Sequence, residues 1–300
     1  MGTTYKILIL GASYGSLLGV KLALAGHTVK LVCLPEEIEL INAEGARVRM
    51  PARGVDGLVE LNSQNAPGDL SAAGPGDVDP ADFDLVGLAM QEPQYGAPAV
   101  SDLLNRVATS GVPCMSIMNM PPLAYLKRIK AIDADAIRDS FTEPGVWDSF
   151  DPALITLCSP DPQAFRPPEE KINLLQVGLP TNFKVARFDA DDHTAILRQL
   201  EDDIQAIRFD TGDASVELPV KLRVHDSVFT PLAKWSMLMA GNYRCVGKDG
   251  MRPIKEAVHS DLEATKSVYE WVVDLCVKMG AERDDLVPFE KYANAALSLV

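Results

Sequence analysis

Hydrophobic positions open the chain as a run and then change period. Tyr5 to Leu10 reads YKILIL, a short strand, and past a glycine-bearing turn the apolar positions Leu17, Leu18, Leu22 and Ala25 take helical spacing. Gly26 closes that helix, and Thr28 to Cys33 is a second strand-like run. The first thirty-odd residues are therefore one βαβ unit whose helix N-terminus faces the turn. Pro35 to Glu44 reads as a short helix, with Pro35 in its first turn and Glu36, Glu37 and Glu39 at its positive end. RVRM and LVEL, within residues 46–62, are two short strands. Asn65 to Asp82, rich in Gly, Pro, Ala and Asp, reads as a surface excursion. Phe83 to Met90 is a near-continuous apolar run fit for a buried parallel strand, followed by a helix near Ala97 to Thr109 and a strand at Cys114 to Met118.

Asn119-Met120-Pro121-Pro122 interrupts that alternation, because two prolines continue neither strand nor helix. Residues 123–141 read as helix. Leu154 to Cys158, Lys171 to Val177 and Phe183 to Phe188 read as further strands, separated by the proline-rich SPDPQAFRPPEE and extending the sheet, antiparallel pairing included. Asp191 or Asp192 caps a helix to about Ile207, with Ile196, Leu197, Leu200 and Ile204 on its apolar face. Beyond Thr230 the pattern is helical: Pro231 to about Arg244, Pro253 to Met279 and about Pro288 to Leu297. The expected fold is α/β, an N-terminal Rossmann doubly wound sheet over residues 1–225 followed by a mostly α-helical C-terminal domain over 226–300.

Composition narrows the setting. With 300 residues and 47% hydrophobic content, the chain can bury the core of one large domain or of two medium ones, and two are expected. It has no apolar run of bilayer length and no charged start leading into a cleavable apolar stretch, so the expectation is a cytoplasmic protein without membrane contact. Five widely spaced cysteines, with no CxxC and no zinc spacing, read as reduced thiols, and no metal site is expected. A net charge of −14 opposes nucleic-acid binding.

The first turn carries the chemistry. Backbone N–H groups and the positive end of a helix dipole converge there, which favours a diphosphate, and glycines at 11 and 15 let an anion approach the main chain. Gly11-Ala12-Ser13-Tyr14-Gly15 is one residue shorter than the dinucleotide pattern GxGxxG and carries Ser13 where the middle glycine might stand. Read literally it is also GxSxG, the nucleophile elbow of α/β-hydrolases, with Ser13 as nucleophile. That elbow follows several strands of a preformed sheet, whereas here ten residues precede Gly11. A tight turn without a ligand is the plain alternative. In a doubly wound sheet the ligand lies outside the carboxyl ends of the strands, where Gly11, Gln91 and Asn119 fall. Cys33, Leu34, Pro35, Glu36 and Glu37 follow the second strand, and their two carboxylates repel a 2′-phosphate, which favours NAD over NADP. The same two acids also suit their own helix N-terminus.

Lys234 lies in PLAKWSMLMAGNYRC, with Asn242 eight residues on and close to the same helix face. A lysine and an amide facing a nucleotide can protonate a carbonyl oxygen while hydride reaches its carbon. The plain alternative is a lysine lying along a surface helix beside Trp235. His225 and Asp226, just upstream, are a second candidate acid or simply a turn.

These residues resemble the ketopantoate reductase (PanE/ApbA-like) family of NAD(P)-dependent oxidoreductases. The resemblance rests on ILGASYGSLLGVKLALAGHTVKLV, on FDLVGLAMQEPQY, on SIMNMPP in place of that family's QNG segment, and on a Trp-centred helix after residue 230. It implies a Rossmann domain and a helical domain, with a small 2-oxo acid reduced in the cleft between them. Gly11 and Gly15 then hold the diphosphate, and Asn119 lies near nicotinamide and substrate. The family's NADP-binding arginine falls on Leu34 and its lysine after the fourth strand on Gln91, so both stand at cofactor positions with altered chemistry. Anchored on Trp235, the catalytic lysine falls on Met237 and the asparagine on Gly241; shifted by three residues, the lysine falls on Lys234 with Asn242 as the asparagine. The functional expectation is hydride transfer to a small 2-oxo or imino acid by a homodimer, with an opine-type or imine-reducing dehydrogenase, or a nucleotide-binding sensor without chemistry, as alternatives.

Overall fold

A computed structural model describes residues 2–212 and 214–297. Its first strands and helices follow the hydrophobic pattern closely: β1 (Lys6–Leu10), α1 (Tyr14–Leu24), β2 (Thr28–Val32), α2 (Pro35–Glu44), β3 (Arg47–Pro51) and β4 (Leu58–Asn62). The stretch read as a surface excursion contains a strand, β5 (Asp69–Ala73), which pairs in parallel with β2. Its inward residues Leu70 and Ala72 are small or isolated, so the apolar signal is weak. Gly68 admits the strand, since a Cβ there would overlap the His27 carbonyl oxygen. Asn42 of α2 completes the β5 edge, its amide donating to the Ala72 carbonyl at 2.9 Å while its oxygen accepts the Ala72 N–H at 2.8 Å.

Next come β6 (Leu85–Leu88), α3 (Pro98–Ser110) and β7 (Cys114–Ile117), as the pattern requires. The helix expected over 123–141 is only one turn, α4 (Leu123–Leu126). Beyond it Arg128 is drawn into the protein, donating to the Ile155 and Arg187 carbonyls at 3.1 and 3.0 Å, and Asp133 folds a turn by accepting the N–H groups of Asp135 and Ala136. After β8 (Ile155–Ser159), the proline-rich separator holds a short strand, β9 (Gln163–Phe165). β10 (Leu174–Leu179) does not extend the main sheet as expected; it lies between β9 and β3 in a second sheet of order β4-β3-β10-β9. Val48, Met50, Leu175 and Val177 of that sheet share a core with Leu17 and Val20 of α1, and that burial decides its placement. β11 (Phe183–Ala186) does join the main sheet, antiparallel to β8. α5 (Asp191–Ala206) starts on Ala190, so Asp191 and Asp192 are first-turn acids and not its cap. β12 (Arg208–Asp210) and β13 (Ser215–Glu217) form a small hairpin, and β14 (Leu222–His225) flanks β11.

The main sheet has the order β14-β11-β8-β7-β6-β1-β2-β5. From β5 to β8 its six neighbouring strands are parallel, with β1 and β6 adjacent at the centre. That is the doubly wound arrangement, reversing direction of winding between β1 and β6.

The chain divides into two compact units, one running to Arg128 and resuming from Asp133 to Val224, the other taking Ile129–Ile132 and the described chain from His225. The second unit is mostly helical: α6 (Lys234–Ala240), a minimal hairpin of β15 (Val246–Gly247) and β16 (Gly250–Met251), then α7 (Ile254–His259), α8 (Leu262–Lys278) and α9 (Phe289–Ala296). The long helix expected from Pro253 to Met279 is cut where Asp261 caps α8 by accepting the Ala264 N–H at 2.9 Å.

Candidate functional site

Because β1, β2, β6 and β7 run in parallel, their carboxyl ends share one edge, and the residues that follow them meet there: Gly11–Gly15, Leu34, Gln91 and Asn119. The turn after β1 is pressed onto the sheet's switch point. Gly11 N–H donates to the Val32 carbonyl at 2.8 Å, and Ala89 N–H to the Leu10 carbonyl at 2.8 Å. Gly11 has φ +106°, and a Cβ there would lie 2.7 Å from both the Ala89 carbonyl oxygen and Met90 Cγ. A Cβ on Gly15 would come within 2.8 Å of Ile9 Cγ2. The two glycines are thus needed first for packing of the turn on its own sheet. With the turn this close, α1 sinks into the core, and Gly15 through Ala23 are all buried.

What the turn offers to a ligand is a set of donors. Among the described residues, the amide N–H groups of Ala12, Ser13, Tyr14 and Gly15 have no protein acceptor, while the carbonyls of Ala12 and Ser13 turn inward to Ser16 and Leu17. Four free N–H groups at the positive end of an eleven-residue helix suit an anion. Tyr14 reaches sideways, its hydroxyl donating to the Pro162 carbonyl at 2.9 Å, and burial pushes its phenol upward. Ser13 has no nearby histidine to donate to: His27, the only histidine near α1 in sequence, lies past the helix's far end and takes the Tyr5 N–H on Nδ1 at 3.2 Å. Among the described residues no histidine hydrogen-bonds Ser13, so the elbow reading of GxSxG finds no base there, and β1 stands at the centre of the sheet as the first strand of the fold.

At the end of β2 the two acids differ. Glu36 is exposed, whereas Glu37 is buried, with one oxygen accepting the Leu34 N–H at 3.1 Å and the other held by Arg166. Arg166 also donates to the Ala12 carbonyl at 3.1 Å. Sequence reading missed this arginine, whose partner is 129 residues away. The one signal was a lone cation in an otherwise acidic proline-rich stretch. Cys33 beside this pair is pushed up to about 12, first by burial and then by the Glu37 charge. Leu34 is exposed. Gln91 is exposed as well and starts a tight turn that Tyr95 and Glu92 fix: Tyr95 accepts the Met90 N–H at 3.1 Å, and Glu92 accepts the Thr142 N–H at 3.0 Å. Asn119 is exposed just past β7, with no hydrogen bond to the described protein.

In the second unit Lys234 is half-buried and is the first residue of α6. The helix ends at Ala240, so Asn242 sits beyond it in a separate 3₁₀ turn, and the shared helix face expected for the two residues does not exist. Gly241 is the break. A side chain there would strike the Tyr292 hydroxyl, which itself donates to the Met237 carbonyl at 3.3 Å. The Trp235-anchored register therefore carries an apolar side chain and a packed glycine, and the shifted register keeps both polar groups, on different elements.

No family model matches the sequence, and no curated protein is significantly similar to it. Solved structures do match. A protein assigned as a ketopantoate reductase of Ralstonia solanacearum MolK2 superposes with a TM-score of 0.62 at 13% identity, over 99% of this chain and 84% of that one. 2-Dehydropantoate 2-reductase of Methylococcus capsulatus gives 0.59 at 12% identity, over 98% and 79%. D-Mandelate dehydrogenase, solved with NADH and anilino(oxo)acetate, gives 0.55 at 14% identity, over 98% and 79%. The chain has the fold of the ketopantoate reductases: a Rossmann-type sheet followed by a helical region.

Proposed function

We propose that this chain is a NAD(P)-dependent reductase that transfers hydride between a nicotinamide cofactor and a small 2-oxo or imino acid, with NAD(H) preferred. The turn from Gly11 to Gly15 carries this reading: a strand enters a buried helix at the switch point and leaves four N–H donors open to an anion. The fold shared with ketopantoate reductases and with an NADH-bound dehydrogenase supports the same assignment. Ala12, Ser13, Tyr14 and Gly15 hold the diphosphate through these donors, and Leu34 and Gln91 border the cofactor. The cofactor supplies the hydride. Lys234 donates the proton to the substrate oxygen, and Asn119 and Asn242 orient that oxygen by hydrogen bonding. The C-terminal unit is read as the substrate and dimerisation domain; Trp271 and Leu275, one turn apart on α8, are exposed and suit a homodimer interface. Five free cysteines suit the cytoplasm.

A second reading has its own observation. Met237 and Gly241 stand at the Trp235-anchored positions for lysine and asparagine, which fits a nucleotide-binding protein without chemistry. Assay of NADH oxidation against a panel of 2-oxo acids, with and without amines, separates the two. The reductase reading expects turnover with at least one acid and a loss of roughly 10²-fold in Lys234→Ala with NAD(H) affinity unchanged. Turnover lost in His225→Ala but kept in Lys234→Ala moves the acid to His225, and binding without turnover favours the sensor.

A further inference from the structure

The carboxyl end of β2 is closed by an arginine that arrives from the second sheet. Arg166 follows β9, and its Nη2 donates to the Ala12 carbonyl at 3.1 Å and to Glu37. One guanidinium thus joins the glycine turn to the first turn of α2. In a doubly wound sheet these two turns flank the adenosine ribose of a dinucleotide. Glu37 is 5% exposed and is locked from both sides, by Arg166 and by the Leu34 N–H at 3.1 Å. Arg166 is less enclosed, its side chain 31% exposed, and among the described residues its Nε and Nη1 make no hydrogen bond or ion pair. A strut between two turns needs only the Nη2 contacts. The open donors leave a recognition surface beside a carboxylate, with exposed Glu36 adding a second negative charge.

Resting on the reductase reading above, we infer that the Arg166–Glu37 pair selects between NAD(H) and NADP(H). Paired, the two groups are neutral together: the guanidinium donates to a ribose hydroxyl oxygen and the carboxylate accepts the hydrogen bond of that hydroxyl. A 2′-phosphate meets no net positive charge at the pair and is repelled by the exposed Glu36. Discrimination comes from keeping the cation compensated as much as from the acid itself.

Calorimetric titration of the full chain with NADH, NADPH, AMP and adenosine 2′,5′-bisphosphate tests this, the last two separating the adenosine end from the rest. Wild type is expected to favour NADH over NADPH, and AMP over the bisphosphate. Glu37→Gln leaves the cation uncompensated and shifts both ratios about tenfold toward the 2′-phosphorylated ligand, while Arg166→Gln shifts them about tenfold the other way. Arg166→Lys, which keeps the charge, stays close to wild type. Circular dichroism establishes folding, and if Glu37→Gln does not fold, Arg166→Gln decides alone. Ratios unmoved in folded Glu37→Gln and Arg166→Gln overturn the assignment. Binding of none of the four ligands by wild type overturns instead the reductase reading on which it rests.

Discussion

The helix that opens at Tyr14 and the helix that opens at Lys234 are built in opposite ways. α1 is enclosed from Gly15 to Ala23, its entry fixed by glycines that admit no side chain and its N–H groups left open at the sheet's switch point. α6 is short, with Lys234, Trp235 and Met237 half-buried and Met239 exposed, and it is cut off at Gly241 by a hydroxyl from α9. The first offers a ligand backbone donors, which many sequences can supply so long as the glycines stay. The chemistry proposed for the second rests on one side chain, whose meaning depends on register. The proposed binding is therefore easier to read in this chain than the proposed chemistry.

Substitutions at the entry of α1 and the exit of α6 sharpen the contrast. Gly11→Val should have the largest effect, roughly 4 kcal/mol of stability lost by denaturant titration, because a β-branched residue is strained at φ +106° and its Cβ meets the Ala89 carbonyl. A loss under about 1 kcal/mol would mean the turn relaxes freely and is not pinned by the sheet.

The enclosure of α1 has a pH signature. Lys21 is 1% exposed, its ammonium nitrogen donates to the Pro219 carbonyl at 3.0 Å, and burial followed by the Lys221 charge pulls it down to about 7. Its folded pKa lies below the unfolded value, so between the two the unfolded chain holds a proton that the folded chain lacks. Stability must rise with pH there, by about 3 kcal/mol from pH 7 to pH 9.5. Lys21→Met should flatten that rise and stabilise the protein at pH 7, both read from denaturation midpoints. An unchanged slope would mean that Lys21 stays charged in the fold.

Gly241→Ala should cost less, about 2 kcal/mol, since its new methyl meets the end of Tyr292 and of Ile254. Tyr292→Phe in the same chain removes the struck hydroxyl and should restore part of the loss. Absence of any rescue would place the strain at Ile254.

Sequence legibility followed the same division. β1, β2 and β6 announced themselves as short, largely buried apolar runs, and α1 and α2 by the glycines and proline at their boundaries. β5 did not, its inward set being only Leu70 and Ala72 between glycine-rich flanks, and β9 was hidden among prolines. The helix expected over 123–141 failed because Arg128 and Asp133 make better use of their side chains in tertiary and turn hydrogen bonds. At the site, the turn and the strand ends were readable from local order. Arg166 was not, since nothing near it in sequence marks the carbonyl of Ala12 or the carboxylate of Glu37 as partners.

Titration of NADH into wild type and Ser13→Asp tests the central claim most directly. Aspartate is a favoured residue at the N-cap that Ser13 occupies, so the fold should be kept. Its carboxylate would stand beside the four N–H groups proposed to hold the diphosphate. The account predicts measurable NADH binding by wild type and a loss of about 100-fold or more in Ser13→Asp. Equal affinity in the two proteins, with the variant folded, would show that the dinucleotide is not held at this turn.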